Sequence, residues 1–334
     1  MKYWVLGAVI LFLMFAVFFV YNTSLFLWQA NGLTYHAPDL RKDRYHFVMI
    51  TRAADEDYWK QAHQGAEQVA QSEHVALEYY GPSFLDFKEL ERFLEMAVLS
   101  SVDGILLSAP NAPAFTALIN EAADKGIPVV ILFNEIDGTR ENSFVGINTF
   151  DLGFKTGEAL RQAVTGNVQV AVLVNSNFSS TGYQRYLAGI KQAIQAYPGL
   201  QLKLVLTSKG SSVSAEEQTQ TILTNYPEIQ AIVCSDVSDT LGVAKVVVDL
   251  NRVTQVTILG SGLTPEIANY IERGVIWGVL ADEPEELGAQ GMSTLIRMRQ
   301  DKSGVKYYDM PLFLIHRQNL DKYYDQFLSN PEQD

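Results

Sequence analysis

The sequence predicts an α/β protein built from two lobes, each around a parallel sheet, and three observations carry that prediction. At 334 residues and 48% apolar composition, the chain can fill two hydrophobic cores. Short apolar runs alternate with helical patterns of roughly 10–15 residues, as in parallel sheets with right-handed crossovers. The stretch 126–161 interrupts this alternation once. It reads as an apolar strand (127–133), a polar excursion through Asn134, Glu135 and Asp137, a short strand (143–147), and a helix opened by Asn148 or Thr149. A run of βα units precedes it and a second run follows, with no Gly-rich or Pro-rich linker between them. Residues 145–148 are therefore expected to cross between the lobes.

The first half supplies strands at 45–51, 75–80 and 104–108, with helices expected over 58–72, 87–99 and 112–125. Apolar spacing at Phe93, Met96 and Ala97 sets the face of the second helix, and Gly126 sits where a C-terminal cap glycine would end the third. After the crossing, strands are expected at 169–174, 200–207, 231–235, 256–260 and 277–281, and a last one at 310–315. The intervening helices fall at 182–197, 214–225, 241–251, 265–273 and 284–299. Pro284 belongs inside the start of the last helix, with Glu283, Glu285 and Glu286 forming its acidic first turn.

The segment 4–21 is uncharged and contains one glycine. At about 1.5 Å per residue it covers most of a bilayer core of roughly 30 Å. It exceeds a signal-peptide core, lacks a small-x-small cleavage site, and has no lipobox. It reads as an uncleaved anchor, with a cleaved atypical signal peptide as the alternative. Lys2 on the short N-terminal side, with Trp4, Tyr21 and Trp28 near the interfaces, puts the N-terminus in the cytoplasm and the domain outside. The expected organisation is an anchor at 1–28, a stalk at 29–44, a two-lobed domain at 45–320 and a tail at 321–334. Lobe 1 takes about 45–146 plus 283–309, and lobe 2 takes 147–282 plus 310–320.

Net charge is −13 and no basic block occurs, which argues against nucleic acid as a partner. Cys234, flanked by Ala231, Ile232 and Val233, has no internal partner for a disulfide and reads as a small core residue. His63, His74 and His316 are scattered without metal-ligand spacing, so no metal is expected. Gly260-Ser261-Gly262 lacks the third glycine of a dinucleotide loop. No phosphate loop, GxSxG elbow or HExxH pair occurs, so neither a cofactor nor an enzyme is expected.

Ligands of open parallel sheets bind beyond the C-terminal strand ends. Those ends carry Arg52 through Trp59, Ser108, Asn134 with Glu135, 175–181 leading to Arg185, Asp236, Ser261 with Gly262, and Asp282. Carboxylates, amides, an arginine and flat aromatics suit a sugar, whose hydroxyls take paired hydrogen bonds while its C–H face packs on a ring. Each residue also has a plainer reading. Asp57 fits a helix N-terminal charge, Trp59 a core aromatic, and Arg185 a surface ion pair.

Four stretches carry a family resemblance: KGIPVVILFNE with FVGINTFDLGFKTGEAL, QAIVCSDVSDTLGVAKVV, TILGSGLTPE, and GVIWGVLADEPEELGAQG. Residues 45 to about 320 resemble the type I periplasmic binding proteins for sugars, the ribose- and galactose-binding group. The resemblance implies two Rossmann-like lobes joined by a three-strand hinge. It implies an aromatic stacking on the sugar at Tyr58 or Trp59, preceded by a polar residue at Glu56 or Asp57. The family's arginine falls at Arg185, with Gln184 one register step away. Asp236 and Asp282 match two further polar positions, and Asn134 or Glu135 a third. The chain departs from the family at Gly260-Ser261-Gly262, where an aspartate is often found.

The expected function is binding of a monosaccharide or similar small polar ligand by hinge closure, held by Asp57, Tyr58, Trp59, Asn134, Arg185, Asp236 and Asp282. The partner is an ABC-type sugar permease or a membrane histidine kinase. The alternatives are a sensing co-receptor with no transport role, or a glycosidase using Asp236 and Asp282 as its acid–base pair.

Overall fold

A computed structural model of the chain describes residues 44–83, 85–140, 143–176, 178–301 and 307–328. The expected anchor, and the expected stalk apart from Arg44, lie outside the described residues. Among the described residues no helix is long and apolar enough to cross a membrane.

Lobe 1 is organised on one six-stranded sheet. Its strands are β1 (Tyr45–Ile50), β2 (Val75–Tyr80), β3 (Gly104–Leu107), β4 (Val129–Phe133), β5 (Ser143–Gly146) and β11 (Tyr307–Asp309), in the order β11-β5-β4-β3-β1-β2. Every neighbouring pair is parallel. Lobe 2 repeats the winding with β6 (Val168–Asn175), β7 (Leu200–Ser208), β8 (Ile229–Cys234), β9 (Thr257–Ser261), β10 (Gly278–Ala281) and β12 (Phe313–His316), in the order β12-β10-β9-β8-β6-β7. Only β10 and β12 run antiparallel. In each lobe the first strand lies inside the sheet, so the winding reverses direction beside it, at β1/β3 and at β6/β8. Such reversals open a crevice at the C-terminal strand ends.

Helices cover both faces of each sheet, which is why the central strands are continuous apolar runs. In lobe 1, α2 (Phe87–Leu99) and α3 (Pro113–Asp124) enclose one core with Leu90, Leu94, Phe115 and Ile119. On the other face, α1 (Asp57–Ser72) and α9 (Pro284–Asp301) enclose Trp59, Ala62, Leu287, Met292 and Leu295. In lobe 2, α4 (Thr149–Ala163) and α5 (Ser180–Ile194) bury Leu152, Leu160, Tyr186 and Ile190. The opposite face carries α6 (Ser212–Asn225), α7 (Val237–Asp249), α8 (Pro265–Glu272) and α10 (Leu320–Leu328). Gly126 ends α3 with φ +71°, the left-handed turn expected of it.

The chain passes between lobes three times: from β5 into α4, from β10 into α9, and between β11 and β12. The expected single strand at 310–315 is two strands in two sheets. Pro311 lacks an amide proton for either ladder, and the chain changes sheet there. Residues 320–328, expected as mostly tail, form α10, because Leu320 and Tyr323 bury against the lobe 2 core. The helix expected from Leu241 begins at Val237, because Asp236 caps it and accepts from the Ser238 amide at 2.8 Å.

Helix α9 follows lobe 2 in sequence yet packs in lobe 1, against α1. Two glycines permit this approach: a Cβ on Gly65 would collide with the Glu285 carbonyl, and one on Gly288 with the Ala62 carbonyl. Lobe 2 uses the same device, with Gly153 against the Tyr186 carbonyl and Gly189 against the Phe150 carbonyl. Backbone, unlike a side-chain tip, has no rotamer with which to give way. Gly288→Ala should therefore lower the unfolding free energy by about 1–3 kcal/mol or more. Urea denaturation measures the loss, and a variant within about 0.5 kcal/mol of wild type would show that α9 and α1 do not make this contact.

Candidate functional site

A cavity of about 360 Å³ lies between the lobes at the C-terminal strand ends, walled by both lobes and by all three crossings. Lobe 1 contributes Arg52 from the end of β1, Glu56, Asp57 and Tyr58 from the start of α1, and Phe133 and Asn134 from the end of β4. Lobe 2 contributes Thr149, Asn175, Phe178, the 235–238 turn and the 261–265 loop. Ile147, Asp282 and Leu312 represent the crossings.

The best-defined polar contact is between lobe 1 and the second crossing. The Tyr58 hydroxyl donates to Oδ2 of Asp282 at 2.7 Å. Asp282 is buried, and that burial pushes its carboxyl up to about 6, although the Tyr58 hydroxyl stabilises the ionised form. The phenol in turn is raised well above its ordinary value, first by burial and then by the Asp282 charge. Around Tyr58 the aromatics pack edge to face. Its ring lies 5.0 Å from Trp59 and 5.5 Å from Phe133, with interplanar angles of 79° and 74°. Phe133 closes β4 at φ +73°, a costly conformation for a bulky residue. The Arg52 guanidinium lies 5.7 Å from the Phe133 ring and 5.9 Å from the Trp59 ring.

Glu56 on lobe 1 and Asp236 on lobe 2 both line the cavity. Glu56 is raised above its ordinary value by loss of water and by the Asp236 charge, against the pull of Arg52. Glu56 occupies the N-cap position of α1 without capping it. Asp236, by contrast, engages Oδ1 in capping α7. Thr149 lines the cavity, and its buried hydroxyl has no hydrogen-bond partner among the described residues.

Of the residues expected from sequence, Asp57, Tyr58, Asn134, Asp236 and Asp282 line this cavity, as does Glu56. Trp59 and Arg185, also expected there, are not among the residues that line it. Trp59 is fully buried, facing the α1/α9 core with Ala62 and Leu287, because the helical turn that sends Tyr58 to the cleft sends its neighbour inward. Arg185 sits on the exposed side of α5 and pairs with Glu135 of lobe 1 at 3.2 Å, an ion pair directly between the lobes and outside the cavity lining. Gln184 is exposed and also outside it. Arg52, Phe133 and Phe178 line the cavity but went unselected, although the strand-end stretches from Arg52 to Trp59 and 175–181 contain the first and the last. Among the described residues no cluster of three or more His, Cys, Asp or Glu could hold a metal.

Beneath the cleft, Asp239 in the first turn of α7 is wholly buried, and neither carboxyl oxygen has a hydrogen-bond partner among the described residues. Burial pushes it up to about 7. The Ser208 hydroxyl nearby opposes the shift and the Asp236 charge adds to it.

With that geometry in place, a family model described as a periplasmic binding protein domain matches residues 47–303. The chain belongs to the periplasmic binding protein family. The resemblance to the type I sugar-binding group is borne out at this level. GanP, a glucose-galactose binding protein from Geobacillus stearothermophilus, is 30% identical with a TM-score of 0.78, covering 84% of this chain and 99% of its own. The D-allose-binding periplasmic protein of Escherichia coli is 20% identical over 266 residues, 77% of this chain and 85% of the relative. XylFII, solved in complex with LytSN, shares the fold at 22% identity and TM-score 0.71, covering 82% of this chain and 98% of its own.

Two outcomes follow. A carboxyl raised from 3.8 to about 7 contributes stability that is full below about pH 4 and is lost as pH rises through 7. Asp282 acts with the same sign up to about 6. The urea midpoint should fall between pH 5 and pH 8 and fall less in Asp239→Asn; equal falls would remove Asp239 as a source. Arg185→Ala should weaken ligand binding by less than about 1 kcal/mol, as for an exposed ion pair. Calorimetry giving a loss beyond about 2 kcal/mol, in the range of a charged hydrogen bond, would return Arg185 to the ligand.

Proposed function

We infer that the protein binds a monosaccharide, or a similarly small polar ligand, between its lobes and outside the cytoplasm. The cavity between the lobes is the observation that carries this reading. It combines flat rings (Tyr58, Phe133, Phe178) with carboxylates and amides. Rings receive the apolar face of a sugar, and the polar groups take its hydroxyls. That GanP binds glucose and galactose, and the E. coli relative D-allose, supports the class.

Binding proceeds by hinge closure about 146–149, 281–284 and 309–313. Ligand contacts made from both lobes at once exist only when the lobes approach, so ligand selects the closed form. Tyr58 supplies the stacking face, with its hydroxyl tied to Asp282. Asp57 is a weaker contributor, being exposed and near Lys60. Asn134 and Asp236 reach the ligand from the two sides.

The closed form presents a new surface to a membrane partner, either an ABC-type permease taking up the ligand or a sensor histidine kinase. The complex of XylFII with LytSN favours keeping the second assignment, because there a relative of this fold assembles with a second protein. An anchor at 1–28 suits it too, since a tethered domain does not shuttle ligand in bulk. Labelled-sugar uptake separates the two: deleting the gene abolishes uptake if it serves a permease and leaves uptake intact if it serves a sensor.

Thermal unfolding against a panel of pentoses and hexoses tests the binding itself. A ligand at 100 times its dissociation constant should stabilise the protein by about 2.7 kcal/mol, and Tyr58→Ala should remove the shift. If no member of the panel moves the transition, the sugar reading is wrong.

A further inference from the structure

The walls of the cavity differ in chemistry. Its hydrogen-bonding side chains stand mainly on the lobes, with Arg52, Glu56 and Asn134 on lobe 1 and Asp236 in the 235–238 turn of lobe 2. The wall at the crossings is aliphatic. Ile147 stands in the first crossing, Leu280 just ahead of the second and Leu312 in the third, joined by Leu152 of α4 and by Phe178. These five side chains belong to one apolar cluster, the core between the lobe 2 sheet and the α4/α5 pair. Leu152 and Leu280 are buried and the other three half-buried, so that core opens into the cavity along the crossings.

The polar groups of the crossings are committed elsewhere. Asn148 turns its Oδ1 to the Phe150 and Asp151 amides at 3.0 and 3.2 Å, capping α4. Asp309 accepts from the Asn148 amide at 2.8 Å, and neither residue lines the cavity. Asp282 is buried and takes the Tyr58 hydroxyl on Oδ2, while the Thr149 hydroxyl is buried too. Even the Leu280 carbonyl is engaged, accepting from the Gly262 amide at 2.7 Å.

A ligand that fills the cleft turns some part of itself to this wall. A hydroxyl placed there gives up its water and finds aliphatic carbon in exchange, a net loss. A methyl group placed there leaves water for a surface that suits it. The C–H face of a sugar ring is already served by Tyr58 and Phe133 of lobe 1, so the wall calls for an apolar corner and not a second ring face. A fully hydroxylated hexose has no such corner, because its exocyclic carbon bears oxygen. A hexose with a methyl in that place has one, and it keeps its ring hydroxyls for the polar groups of the lobes.

Resting on the reading of this cavity as a monosaccharide site, we propose that its ligand is a deoxy sugar, a 6-deoxyhexose whose terminal methyl packs on Ile147, Leu280 and Leu312 at the crossings. All three passages of the chain contribute to that wall, so its shape is set by the hinge and not by either lobe alone.

The test is titration calorimetry on the purified full chain with matched pairs that differ in one oxygen: D-fucose with D-galactose, D-quinovose with D-glucose, L-fucose with L-galactose, and L-rhamnose with L-mannose. In at least one pair the deoxy sugar should bind tenfold or more tighter than its parent, a difference of about 1.4 kcal/mol. That comparison needs no variant. In Leu312→Asn and in Ile147→Thr, each of which puts a polar group on the wall at little change of volume, the ratio should fall toward one. Parents that bind as tightly as their deoxy partners, or more tightly, overturn the terminal methyl and leave the monosaccharide reading intact. A preference that survives both substitutions overturns the placement of the methyl on the crossings. Silence from every one of these hexoses overturns the methyl as well, and the pentoses in the thermal-unfolding panel then decide whether the monosaccharide reading falls with it.

Discussion

The return of α9 to lobe 1 is the constraint on which the rest of this structure depends. The helix begins at Pro284, directly after the second crossing, and is held against α1 by backbone-to-backbone approach at Gly65 and Gly288. Because α9 cannot leave α1, Asp282 just ahead of it is delivered to the floor of the cleft beside Tyr58, which heads α1. The 2.7 Å hydrogen bond between them is thus a product of helix packing some distance away. Three crossings of the chain tie the two lobes together.

Within that frame the cleft is a place of electrostatic tension surrounded by well-satisfied apolar cores. Asp282 is raised by burial, Glu56 by loss of water against the opposing pull of Arg52, and the buried Asp239 by burial against the Ser208 hydroxyl. Folding alone gains nothing from gathering carboxylates in one crevice, since desolvation and mutual repulsion both oppose it. Phe133, held at positive φ on the same wall, adds backbone strain. Such costs concentrate where a protein meets a ligand, and the neighbouring sheets and helix pairs bear them. The Arg185–Glu135 pair, well solvated and outside the cavity, joins the two lobes at its margin.

Much of this was legible in the sequence because both sheets consist of buried parallel strands, whose apolar runs stand out between helices of regular period. The crossing at 145–148, the break at Gly126 and the acidic start of the helix at Pro284 were readable from local chemistry alone. Strand ends pointed to Asp236 and Asp282. The same stretches also held Arg52 and Phe178, but an arginine ahead of more conspicuous residues and a phenylalanine among small polar ones do not advertise themselves, and Phe133 sat inside an apolar run. Where the reading failed, local pattern was being asked for a global answer. The sequence 310–315 looks like one strand until Pro311 is seen to separate two sheets, and 320–328 looks like a tail until lobe 2 offers it a core to bury Leu320 and Tyr323.

The sequence by itself determined the α/β class, the two-lobed repeat and the family, because these follow from periodicity and from the order of short motifs along the chain. Only the tertiary structure placed Tyr58 on the cavity wall and Trp59 in the core, and set Arg185 against Glu135. Adjacent positions on a helix point about 100° apart, and which direction meets the cleft depends on where α9 packs. Whether an arginine meets an acid depends on how closely a loop of lobe 1 approaches a helix of lobe 2. Neither distance is written in any local stretch of residues.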